Sequence, residues 1–286
     1  MASRLIAAAL ITLATILVAA GAGVGCSNQR PALAVLMDMV PEESGHFVYW
    51  GIADLNDDED LWQVYDRFKN SSDAQQVSKL VQVLAIVKDA ARGSGSDNSG
   101  TLQTPVTVLR AKFDTDYVER QLKTLEFSQS AYRNVTIWIS GDGQPYRPVA
   151  LLSGTMLIGN VSDLKACIDV DKEKAESLYD DPHIQVLAKE LPRGIVIEVH
   201  RAAASSAESY ADLVAYGKSY SKAKKDLLKV TAVYVFGDGP SAGNALQQIK
   251  EDLSLDFQDV KVSRDGNLIT ATARISISSF AQTIEF

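Results

Sequence analysis

The chain predicts an α+β body built of duplicated β-α-β-α-β-β units, their mixed or antiparallel sheets covered by helices on one face. Three observations predict it. Apolar residues make up 46% and charged residues 22% of 286 residues, a globular composition with ample material for a core. Short β-branched and aromatic runs alternate with segments of helical periodicity. The same order of elements also occurs twice, opened by Val40-Pro41 and by Leu191-Pro192. The copies run from 40 to 182 and from 191 to 286, although their residue identities barely match.

In the first copy, His46 to Ile52 is aromatic and β-branched and reads as a buried strand. Asp57 or Asp58 then caps a helix carrying Leu61, Trp62, Tyr65 and Phe68. A second helix starts near Asp73, with Val77, Leu80, Val81, Leu84 and Val87 on one face, and the Gly/Ser-rich run 93–100 closes it as a loop. Val106 to Phe113 is a strand, and a helix from Asp116 carries Val118, Leu122 and Leu125. Three strands follow, 135–140, 149–153 and 156–159, reversed at Gly141-Asp142-Gly143 and Ser153-Gly154. Helical segments continue to Leu191. In the second copy, Ile195 to Val199 is a strand, 205–228 a long helical stretch, Thr231 to Phe236 a strand and 243–253 a helix. A hairpin ends the chain: Val260 and Val262 alternate with polar residues, Asp265-Gly266 turns, and Ile269, Ala271, Ala273, Ile275 and Ile277 alternate on the return.

The amino end has a different grammar. Arg4 is followed by the apolar run Leu5 to Val18, then Ala19-Ala20-Gly21-Ala22-Gly23-Val24-Gly25-Cys26. A basic residue, an apolar stretch and small residues are read by the export machinery and are not part of a fold. This end resembles a bacterial lipoprotein precursor, in which a small residue precedes a cysteine that is diacylated and becomes the new amino terminus. Gly23 stands where that family prefers Leu. The resemblance implies a signal peptide over 1–25, lipidation of Cys26 and a tether over 26–39. The protein would be lipid-anchored at the extracytoplasmic face of the cell or outer membrane, since two or more acyl chains hold a protein there stably. Two other readings fit the same residues: release by ordinary signal peptidase after Ala20-Gly21-Ala22, and an uncleaved span from Leu5 to Gly25.

Without residues 1–25 the chain keeps 27 Lys plus Arg, 28 less Arg4, against 36 Asp plus Glu, a net charge of -9. That sign disfavours nucleic acid and anionic headgroups as partners. Two cysteines give no disulfide framework once Cys26 carries lipid. Cys167, between Ala166 and Ile168 on an expected helix, reads as a small core hydrophobe.

Several motifs invite chemistry. Gly237-Asp238-Gly239-Pro240-Ser241-Ala242 follows a strand and opens a helix, with Asp259 at dinucleotide-binding distance. Pro240 offers no N–H and Asp238 repels phosphate, so it reads as a turn. Asp54, Asn56, Asp58 and Asp60 alternate as calcium ligands do, but Glu59 and Tyr65 stand where an EF-hand loop needs Gly and Glu. His46 and His200 occupy the first strand of each copy, His183 follows Asp181-Pro182, and neither a nucleophile elbow nor zinc spacing occurs. Tyr210, Tyr216, Tyr220 and Tyr234 are candidates for partner contacts or for packing. The expected function is therefore a non-catalytic envelope lipoprotein that binds a protein or another envelope component, with no cofactor. The alternatives are an envelope hydrolase and capture of a soluble ligand between the copies, in a cleft near 182–194 lined by His46 and His200.

Overall fold

The computed structural model describes residues 32–81, 87–95, 102, 104–202 and 210–284; Cys26, the run before it and residues 96–100 of the expected loop lie outside them. The body extends from Ala32. In chain order, α1 (Ala32–Met37) leads to β1 (Ser44–Trp50), α2 (Ile52–Asp57), α3 (Trp62–Lys69) and α4 (Ser72–Leu80), then β2 (Val87–Gly95), β3 (Val106–Ala111) and α5 (Thr115–Thr124). Next come β4 (Ser128–Tyr132), β5 (Val135–Ile139), β6 (Val149–Leu152), β7 (Thr155–Ile158), α6 (Val161–Asp171) and α7 (Pro182–Glu190). The chain continues through β8 (Val196–Arg201), β9 (Leu213–Lys224), β10 (Leu227–Phe236), α8 (Gly239–Asp256), β11 (Gln258–Asp265), β12 (Leu268–Ser276) and α9 (Ile277–Thr283).

Both expected copies contribute to one 12-stranded sheet, ordered β11-β12-β10-β9-β8-β1-β2-β3-β7-β6-β5-β4. Every pairing is antiparallel, so the mixed alternative falls away. β1 and β8, which open the two expected copies, pair near its middle from His46↔His200 to Trp50↔Val196. Turn chemistry sets the local registers: Arg133 and Asn134 both take positive φ in the two-residue loop between β4 and β5, as a type I′ hairpin requires.

Helices cover both faces of the sheet, not one. On the front face Val48, Trp50, Leu109, Trp138 and Val230 pack against α2 to α5 and α9, and Tyr234 and Phe236 pack against α8. On the back face Phe47, Tyr49, Val108, Ile197, Val233 and Val235 pack against α1, α6 and α7. The cause is in the strands: β10 is apolar at both parities, Val233 and Val235 against Tyr234 and Phe236, so each face needs a cover. Trp138, Phe47, Phe236 and Phe280 are almost wholly buried, and each contributes about 1.5–3 kcal/mol over an exposed state.

Several segments depart from the expected elements, among them the unexpected strand β4 and Ile277, which opens α9 where the hairpin was expected to run on. Of the stretch 205–228, residues 205–209 lie outside the described ones, and the rest holds a strand, β9, in place of a helix. Ala215, Gly217 and Ser219 are buried on the back face, while Tyr216, Lys218 and Tyr220 line the front, a period of two that the spacing of Tyr216 and Tyr220 disguised as helical; a register shift at the start of β9 turns Leu213 to the front, opposite Phe236. The helix from Asp73 stops at Leu80, where Val81 turns to extended backbone, and Val87 opens β2. Within 26–39, the expected tether, Ala32–Met37 is helical and buries Leu33, Leu36 and Met37.

Candidate functional site

Residues directly opposite in an antiparallel pair share a face with Cβ atoms about 4.5–5.5 Å apart, so register alone assembles a row on the front face. His46 pairs with His200, His200 with Tyr216 and Tyr216 with Tyr234. The rings stack like plates along it: His46 and His200 at 4.2 Å and 17°, His200 and Tyr216 at 4.4 Å and 4°, Tyr216 and Tyr234 at 5.8 Å and 16°. Stacked faces are hidden in neighbouring rings, which leaves the polar ring edges as the exposed chemistry.

One register step away, the next front-face row carries Arg92, Val48, Glu198 and Lys218. Arg92, Glu198 and Lys218 are half-buried, while the third row, Trp50, Val196 and Tyr220, lies fully in the core. The sheet thus passes from apolar core to a polar furrow within four residues. Burial raises the Glu198 carboxyl above its usual range, opposed by Lys218 and by a hydrogen bond with Tyr220. Burial lowers the His200 imidazole to about 3, helped by His46 and Lys218, so His200 is neutral at physiological pH. Arg92 Nε is buried and has no hydrogen-bond partner among the described residues. Beside it Arg92, Asp73 and Thr107 border a cavity of about 30 Å³, one water's share of volume.

Towards α8 the furrow opens into a cavity of about 210 Å³ between that helix and β9–β10. Tyr216, Tyr234 and Phe257 line it, with Tyr210 edge-on to Tyr234 at 86°. Lys218 lies 5.8 Å over the Phe257 ring. Asp252, which accepts a 2.6 Å hydrogen bond from Tyr210, and Asp256 stand at the rim.

The other candidate residues are placed apart from this furrow. Asp58 and Asp60 hold the Lys222 ammonium at 2.6 Å, and Asp58 caps a short 3-10 turn. No group of three or more His, Cys, Asp or Glu suited to a metal occurs among the described residues. Asp238 caps α8 by accepting from the Ser241 amide at 2.7 Å, which also lowers its pKa, so the glycine-flanked turn serves the helix. His183 donates its backbone N–H to the Asp181 cap at 2.7 Å. Cys167 is fully buried, and burial pushes its thiol well above the usual range. Tyr220 leaves the aromatic row and packs in the core against Phe280, ring centroids 4.4 Å apart and tilted by 35°. Residues 182–194 do not line the furrow, because Ile184, Leu187 and Leu191 pack on the back face.

Sequence reasoning named the histidines and tyrosines but missed Arg92, Glu198 and Lys218. Lys218 lay in a supposed helix, and the alternation of Tyr216, Lys218 and Tyr220 was the signal that could have found it. No described helix is long and apolar enough to cross a membrane. Comparison with protein-family models, curated proteins and solved structures gives no match.

Proposed function

We infer that this chain is an envelope lipoprotein, tethered through Cys26, whose body is a non-catalytic binding module with the furrow as its binding surface. One observation carries the binding reading: a half-buried, polar and aromatic strip on the pair of strands where the two expected copies meet, opening into a cavity. A hydrolase is less favoured. His200 is a weak base with its pKa near 3, and its ring faces are taken up by His46 and Tyr216. The furrow favours capture of a ligand over a flat protein contact, at the strands the capture reading named but on the face opposite 182–194.

Duplication is part of the same inference. β3 leads through α5 to an antiparallel set whose last strand, β7, lies beside β3. β10 leads likewise through α8 to β11 and β12, with β12 beside β10. A helix follows each, and the arrays meet through antiparallel first strands, as two copies related by a two-fold would. The copies differ in the helices α2 to α4, which have no counterpart among the described residues of the second, and in the four strands after α5 against two after α8.

Mass spectrometry of the membrane-extracted protein beside a Cys26→Ala variant tests the tether: a diacylated amino-terminal Cys26 is expected, and an unmodified Cys26 within a longer chain overturns it. Chemical cross-linking in intact cells tests the module. Recovery of an envelope component that depends on Lys218 and Tyr216 is expected, and a recovery unchanged by their replacement refutes the furrow as the surface.

A further inference from the structure

Resting on that reading, we propose that the cavity between α8 and β9–β10 binds one neutral, polyhydroxylated six-membered ring, a sugar unit of an envelope glycan. Size comes first. A cavity of about 210 Å³ is below the 300–1,000 Å³ usual for drug-sized ligands and suits a single ring with its substituents. The lining then carries charges of both signs, Lys218 against Asp252 and Asp256, which suits neither a lone cation nor a lone anion. Lys218 stands opposite Glu198 in the strand pairing and lies over Phe257, so the cation–π position is already taken and a second cation there meets a fixed positive charge. Asp252 and Asp256 at the rim repel an anion.

What remains is a ligand that both donates and accepts. An ammonium only donates and an ionised carboxylate only accepts, whereas each hydroxyl does both. A polyol can therefore accept from Lys218 and donate to Asp252 and Asp256 at once. Tyr216, Tyr234 and Phe257 supply amphipathic aromatic wall for the C–H surface of such a ring. Tyr210 is braced at the mouth by its 2.6 Å hydrogen bond to Asp252, so little side-chain freedom is lost on binding.

The test uses the full-length protein in a polyoxyethylene detergent, which carries neither sugar nor charge. Saturation-transfer NMR and titration are run with methyl β-glucopyranoside and N-acetylglucosamine, and in parallel with tetramethylammonium and inorganic phosphate. A pyranoside is expected to bind and the two ions are not. Lys218→Met and Asp256→Asn each should weaken it about tenfold, 1.4 kcal/mol. Both positions are off the apolar core, so circular dichroism should show the fold retained; Asp256, exposed on α8, is the safer of the two. Absence of pyranoside binding at any soluble concentration, affinity unchanged in both variants, or preferred binding of either ion overturns the sugar site. These results leave the tether and the cross-linking readout untouched. Conversely, turnover of a bound glycoside would keep the site and remove the non-catalytic reading.

Discussion

His200 makes the stability of the body depend on pH in a way that one substitution removes. Its imidazole is held neutral down to about 3, from an ordinary 6.5, by burial, His46 and Lys218. A base with a depressed folded pKa contributes stability that is complete above 6.5 and is lost as pH falls, because the unfolded chain takes up a proton that the folded one refuses. A pH of 4.5 lies two units below the ordinary 6.5 of the unfolded imidazole, worth up to about 2.7 kcal/mol. Partial exposure in the furrow screens this to about 2 kcal/mol. Phe in place of His200 keeps a flat ring between His46 and Tyr216 and removes the proton. Urea unfolding of both chains at pH 7.5 and 4.5 is the assay. Wild type should lose about 2 kcal/mol more than His200→Phe over that interval. Glu198 works in the opposite direction, since its raised pKa gives stability present below 4.5 and lost as pH rises. It is common to both chains, and the difference between them isolates His200. Parallel losses in the two proteins would refute the buried, neutral imidazole.

Asp89 accepts from the Tyr49 hydroxyl at 2.7 Å and through its other oxygen from Arg110 Nε at 2.9 Å. Asp89→Ala should therefore cost about 3 kcal/mol, because it strands a buried hydroxyl and a guanidinium, whereas Tyr49→Phe should cost only about 1 kcal/mol; equal losses in urea unfolding would contradict the network. A Cβ at Gly217 would lie 2.7 Å from Leu191 Cδ1 and 2.9 Å from the Glu198 carbonyl oxygen. Gly217→Val should accordingly destabilise by about 1–3 kcal/mol, and a variant with an unchanged midpoint would show that β9 is not packed this closely. Cys167, buried with a raised pKa, should resist thiol reagents in native protein and react once urea unfolds it; in the Cys26→Ala background, a fast native reaction would disprove its burial.

Elements with local signatures were legible from the residues. The carboxyl-terminal hairpin announces itself by alternation and by Asp265-Gly266, and β11 and β12 pair accordingly. The strands from 135 to 159 and the turn at Ser153-Gly154, where Gly154 takes φ 71°, likewise follow from local rules. Elements decided by what lies across the sheet were not legible. β9 holds Ala, Ser and Lys between its tyrosines, a composition neutral between strand and helix, and pairing with both β8 and β10 settles it. The same holds for the furrow: matched positions of His46 and His200 suggested proximity, but only register brings Glu198 and Lys218 into the next row.

By itself the sequence determined the α+β class, the acidic composition and the hairpins at 149–158 and at the carboxyl end, because each depends on neighbours a few residues away. The tertiary structure decided that the two halves of the chain share one antiparallel sheet, that helices cover both its faces, and that a polar furrow crosses its middle. Those are outcomes of strand order and register between residues more than 150 positions apart, as His46 and His200 are. Cross-strand pairing is a long-range choice, made by the burial of both faces at once, and no window along the chain contains it.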